Sequence, residues 1–248
     1  AARVTKDLQS VNGDKHLRLL YSEAVVADNG QQSAWDPVAY LKEAEQDAFG
    51  ITRIERLEGN IGLLKLRMLH DAEVATPAVN AAMNLIAHTD ALIIDLRDNV
   101  GGDPNTVALI CSHLFDERVH LNDIYNRPED ITEQFWTLPH VSGPKFGGKK
   151  PVYVLTSSRT FSAAEELSYN LQQTGRATLI GETTKGGAHP GDRYRVGPHL
   201  KSSIPNGRSI NPVSGTNWEA VGVVPHIAVP ADEAFEVALE KATSTTSD

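Results

Sequence analysis

Chemistry in this chain starts at Ser162. It stands within PVYVLTSSRTFSAAEELSYNLQQ, residues 151–173, where an apolar, β-branched run gives way through SSRT to alanine, glutamate and leucine at helical spacing. That pattern predicts a buried strand, a sharp turn and a helix capped near Gly175, with Ser162 at or just inside the helix N-terminus. There the helix dipole and unpaired N–H groups favour negative charge, so the hydroxyl could attack a carbonyl while a neighbouring N–H holds the oxyanion. An ordinary N-cap serine fits the same local pattern. Acyl transfer also needs a base, a group to orient it, and further oxyanion donors. DLRDNVGG, residues 95–102, could supply donors, because paired glycines let backbone approach a substrate; the same pair serves a tight strand-to-helix turn. Nine histidines leave the base open on residue type alone. Glu219, in TNWEAVGVVP, could orient a base or merely solvate a surface.

The elements that must position these groups alternate between strand and helix. Residues 1–12 read as the tail of a helix, NGD at 12–14 as a turn and HLRLLYS as a strand, so His16 falls at a turn-to-strand junction. Residues 23–36 are polar and read as loop. DPVAYLKEAEQDAF reads as a helix ended by Gly50, and residues 51–69 as two strands joined around 58–60. Thr76–His88 reads as a helix with Pro77 near its start. ALIIDLRD is a continuous apolar strand of the kind buried on both faces of a parallel sheet, and Pro104 starts a helix to about Phe115. This alternation implies right-handed βαβ crossovers. Residues 121–150 read as a long excursion with one strand at EQFWTL. ATLIGETT is a further strand, residues 194–225 a set of short antiparallel strands, and ADEAFEVALEKA a closing helix before a frayed TSTTSD tail.

Bulk properties narrow the function. A chain of 248 residues can bury a sizeable core as one α/β domain. Its net charge of −9, with no basic run longer than Lys149–Lys150, argues against nucleic acid or an anionic membrane as partner. A single cysteine, Cys111, excludes an intramolecular disulfide and a cysteine metal cluster, and reads as a core residue. No apolar run reaches the roughly 18–20 residues of a membrane span. The N-terminus shows no signal-peptide pattern and lacks Met, which suggests a processed or truncated start. His189 and His199 lack metal-ligand spacing with acidic partners, so neither metal nor cofactor is expected.

Taken together, DKHLRL, IIDLRDNVGG, TSSRTFSAAEE, LIGETTKGG and NWEAVGVVP resemble, in that order, the tail-specific or C-terminal-processing serine proteases. The nearest branch looks like that of tricorn protease and interphotoreceptor retinoid-binding protein. The resemblance implies a ClpP/crotonase-like α/β core with stacked β-sheets and flanking helices. It places the core at residues 59–248, with an N-terminal appendage at 1–58 that carries the candidate base. By resemblance Ser162 is the nucleophile, with Gly101 and Ala163 donating to the oxyanion and Gly102, Gly186 and Gly187 against the substrate. Relatives with a Ser–Lys dyad carry lysine where this chain has Gly187; Lys185 is two residues out and is expected to point elsewhere. The tricorn-like alternative implies His16 as base and Glu219 as its orienting carboxylate.

Three departures stand beside the resemblance. His226 replaces an aspartate at a position that reads as structural, no stretch between His16 and Asn60 accommodates a PDZ module, and most of the helical region preceding the core in relatives is missing. The function implied is a serine endopeptidase acting on peptides or unfolded proteins, periplasmic or extracellular by family analogy. The alternative is a non-catalytic module binding a small hydrophobic ligand, a retinoid or fatty acid, on the same scaffold; retention of Ser, His and Glu together favours the peptidase.

Overall fold

A computed structural model describes residues 1–26 and 36–246. The chain begins with α1 (Ala2–Asn12), β1 (Arg18–Tyr21), α2 (Pro37–Gln46), β2 (Ile51–Leu57) and β3 (Ile61–Leu66). It continues through α3 (Ala72–Ile86), β4 (Ala91–Asp95), α4 (Pro104–Ser112), β5 (His120–Asn126), β6 (Ile131–Trp136), β7 (Val152–Thr156) and α5 (Ala163–Gln173). The last elements are β8 (Thr178–Gly181), β9 (Gly191–Gly197), β10 (Leu200–Pro205), β11 (Gly207–Ile210), β12 (Ile227–Ala228) and α6 (Ala234–Thr246).

The main sheet has the order β12-β8-β7-β4-β3-β2, parallel throughout except for the antiparallel β2–β3 pair. Its central strands β4 and β7 are buried at every position because both faces are covered. Leu92 and Ile94 of β4 join a core built with α3, α4 and α5, whereas Ala91 and Ile93 point the other way, toward α6. There Ala234, Ala238 and Ala242, four residues apart and fully buried, let α6 lie close to the strands. Each large aliphatic side chain so enclosed contributes about 1.5–3 kcal/mol. The arrangement is the mixed α/β, ClpP/crotonase-like core expected, with several sheets and flanking helices.

Two small sheets, β11-β5-β6 and β1-β10-β9, complete the fold. Residues 120–136 differ from the expected excursion: they form an antiparallel hairpin, β5–β6, extended by β11. HLNDIYN lacks a clear apolar period; it is held as a strand by backbone pairing on both sides, with β6 and with the distant β11. Antiparallel strands end at Ile210, short of the expected 225. Helix α3 starts a turn before Pro77, since Asp71 caps it by accepting from the Glu73 N–H at 2.9 Å. Residues 243–246 of the tail expected to fray instead continue α6; residues 247–248 lie outside the described residues. Residues 27–35 of the expected 23–36 loop lie outside the described residues. Strand β2, just before residue 58, is the edge strand of the main sheet; α1, β1 and α2 are the segments outside that sheet. His226 accepts the Leu179 N–H through Nδ1 at 2.9 Å, tying the segment before β12 to β8.

Candidate active site

The turns that follow β4 and β7 meet at the carboxyl edge of the main sheet. Thr160 Oγ1 donates to Leu96 O at 2.8 Å, Ser157 Oγ to Arg97 O at 2.5 Å, and the Phe161 N–H to Asn99 O at 3.1 Å. This lacing delivers the chain into Ser162 with φ 57° and ψ −124°, a sparsely populated conformation that costs on the order of 1–3 kcal/mol and persists only where surroundings impose it.

Glu165 is the principal constraint. Its fully buried carboxylate accepts from the Ser162 N–H at 2.8 Å, Thr184 Oγ1 at 2.5 Å, and the Gly186 and Gly187 N–H groups at 2.6 and 2.9 Å. Burial pushes its pKa up to about 7, against those four donors. One side chain thereby joins the serine, the start of α5 and the 184–187 segment. It also consumes the N–H groups of Gly186 and Gly187, which had been expected to face substrate.

His16 reaches the serine from outside the main sheet. Its Nε2 lies 3.0 Å from Ser162 Oγ, and its ring centroid 4.5 Å from that of Phe161. Asp14 Oδ1 accepts the His16 backbone N–H at 2.8 Å and so sets where β1 begins. Burial lowers the His16 pKa to about 4; Asp14 opposes this, while Arg18, His189 and Lys185 add to it. The imidazole is therefore neutral at pH 7, as a proton acceptor must be. Its Nδ1 is buried without a hydrogen-bond partner among the described residues.

Glu219 does not meet His16. Its Oε2 accepts the Ala188 N–H at 2.5 Å and lies 3.6 Å from His189 Nδ1, while its Oε1 is buried and unpartnered. His189 Nδ1 in turn sits 2.9 Å from Asp14 Oδ2, an ion pair that raises the His189 pKa. Glu219 thus connects to His16 through His189 and Asp14. These three residues each offer one ligand atom, all within 4.8 Å of one another, a grouping among the described residues that could hold a metal ion. Sequence spacing could not reveal it, because Asp14 is 175 residues from His189.

The glycine turn is shaped by the serine it faces. A Cβ on Gly101 would fall 2.7 Å from Ser162 Cβ and 3.1 Å from Ala163 N, so only glycine fits. The Gly101 N–H, expected to face an oxyanion, instead donates to Asn99 Oδ1 at 2.8 Å. Flanking bonds from Leu69 N to Gly101 O and from Asp103 N to Leu69 O leave the Gly102 N–H turned away from Leu69. The Gly102 and Ala163 N–H groups have no acceptor among the described residues.

Gly187, where Ser–Lys relatives carry lysine, has no room for a side chain. A Cβ there would collide with the Phe161 ring and fall 3.0 Å from His16 Cε1. Lys185, expected to point elsewhere, lines the same cleft as Ser162, with its ammonium 4.8 Å from the Phe161 ring centroid and no bond to the serine. The sequence reading passed over Glu165, although Ser162-x-x-Glu165 is a capping-box spacing that could have found it. Asp14 and Arg18 carried no comparable signal.

Residues 60–229 match the family model described as Peptidase family S41. The carboxy-terminal processing protease CtpB of Bacillus subtilis (strain 168) is 28% identical over 154 residues, 59% of this chain and 29% of that protein. The chain thus spans less than a third of the length of that relative. A putative peptidase of Parabacteroides merdae ATCC 43184 superposes with a TM-score of 0.69 at 19% identity, over 96% of this chain and 81% of that one. The photosystem II D1 C-terminal processing protease gives 0.56 at 20% identity, over 76% and 47%. Among the described residues no helix is long and apolar enough to cross a membrane.

Proposed function

The chain belongs to peptidase family S41, and from that premise we propose that it hydrolyses peptides or unfolded proteins with Ser162 as nucleophile and His16 as general base, then acid. Ser162 Oγ bonds to the scissile carbonyl carbon as its proton passes to His16 Nε2. The resulting oxyanion is held by the N–H groups of Ala163 and Gly102, the latter in place of Gly101. His16 then gives the proton to the leaving amine as the C–N bond breaks, and a water activated by the same imidazole releases the acyl group. In this reading Asp14 is the positioning residue for His16. Glu219 acts at one remove, holding His189 beside Asp14. A small cavity of about 60 Å³, bounded by Ile124, Ala188 and Trp218 beside Ser162, suits a small apolar residue at the scissile bond. Action outside the cytoplasm belongs to the same proposal, on family analogy.

The observation that carries this reading is the 3.0 Å contact between His16 Nε2 and Ser162 Oγ, made across 146 residues of chain at the start of a helix. Fluorophosphonate labelling tests it. Stoichiometric modification of the wild type at Ser162, abolished in Ser162→Ala and slowed at least about 100-fold in His16→Ala, is expected. Equal labelling of His16→Ala would remove the imidazole from the mechanism. No labelling at all would favour a ligand-binding module.

A further inference from the structure

The cleft that opens on Ser162 is cationic in a protein that is acidic overall. Its volume is about 370 Å³, and Arg18, Arg159, Lys185 and Arg193 line it without a single carboxylate among the lining residues, although the chain has 32 acidic residues against 23 basic ones. Arg159 is neutralised, pairing with Asp98 at 2.5 Å. Arg18, Lys185 and Arg193 make no ion pair among the described residues. Arg18 and Lys185 instead lie 4.9 and 4.8 Å from the centroid of the Phe161 ring.

Strand register explains how the charges come together. Arg18 of β1 is opposite Ser203 of β10, which is opposite Arg193 of β9. The three side chains therefore form one row across one face of the small sheet, a hydroxyl between two guanidinium groups. Like charges so aligned repel: the Arg18 pKa is lowered chiefly by burial and further by Arg193. A sheet that keeps such a row unneutralised beside its reactive serine is organised for an anion from outside, and guanidinium forks match carboxylates in geometry and charge.

We propose that the Arg18–Ser203–Arg193 row and Lys185 form a carboxylate-binding subsite, so that the enzyme selects peptides carrying an acidic side chain near the scissile bond. The proposal rests on the peptidase reading for its catalytic consequence, though not for binding. A carboxylate held there also offsets the two cations, Arg18 and Lys185, that disfavour a proton on His16. Selection thus reaches turnover as well as affinity.

The test uses internally quenched alanine-based peptides in which one residue, walked through the four positions on each side of the centre, is Glu or Gln. Each is made with a free and with an amidated C-terminus. At one or more positions kcat/KM for Glu is expected to exceed that for Gln by about tenfold, an advantage that shrinks between 0.05 and 0.5 M salt. A preference for the free acid over the amide, without dependence on internal Glu, would overturn the selection of an acidic side chain. In Arg18→Gln and Arg193→Gln the ratios fall toward one, and in the exposed Arg193→Glu below one. Cleavage with ratios of one throughout overturns the subsite and leaves the peptidase intact. Should no peptide be cut and no fluorophosphonate react, the peptidase reading fails by itself. Fluorescence anisotropy of the same peptides on the Ser162→Ala protein then decides the subsite, and equal binding of Glu and Gln peptides, or none, overturns it.

Discussion

A histidine and a glycine compete for one volume beside Ser162. Any side chain at Gly187 would enter the space of Phe161 and His16, so a lysine there and a histidine at 16 are mutually exclusive ways of furnishing a base. Gly187→Ala should therefore displace the imidazole. A shift of even about 1 Å can cost 100-fold in rate, and fluorophosphonate labelling of Gly187→Ala should be at least tenfold slower while its circular dichroism spectrum is unchanged. The pH dependence follows from the same burial. His16 accepts a proton only when neutral, and its pKa is lowered to about 4, so labelling should fall as pH drops through about 4. An acid limb near 6.5 would show that the imidazole is better solvated than the fold implies.

Among the elements, α5 depends on an acceptor that belongs to its own first turn. Glu165 ties the N-terminus of that helix to the segment from Thr184 to Gly187 by four bonds. Glu165→Ala leaves buried donors unsatisfied, at about 1–3 kcal/mol for each that finds no substitute. A loss of about 3 kcal/mol or more in urea unfolding is expected, with loss of labelling at Ser162 even where the fold survives. Strand β1 plays the matching part for His16. Thr5 Oγ1 donates to Leu19 O at 3.1 Å and accepts the Leu19 N–H at 2.9 Å, pinning α1 against β1.

At the scale of the whole molecule, two hydrophobic layers clamp one sheet, and the chemistry sits at its edge rather than inside it. Cys111 lies at the centre of the larger layer, fully buried, with its thiol pKa pushed up by burial. A disulfide reagent should leave it untouched in the native protein and modify it in step with global unfolding. Fast labelling under native conditions would mean that α4 opens locally. A silent Cys111 also leaves Ser162 as the nucleophile that electrophilic probes report.

The residues themselves determined the strand–turn–helix around Ser162, the apolar strands of the main sheet and the glycine turn, because each is encoded by neighbours within about ten positions. Order along the chain was enough to point to the family. Tertiary structure alone decided which groups meet. It set Glu219 against Ala188 and His189 rather than His16, engaged the Gly101 N–H with Asn99, and aligned Arg18 with Arg193 across β10. These contacts join residues 30 to 175 positions apart, or depend on one rotamer within a turn, and neither hydrophobic period nor residue type carries that information. The strand at 120–126 was hidden for a related reason: besides its hairpin partner β6 it pairs with β11, more than 80 residues away.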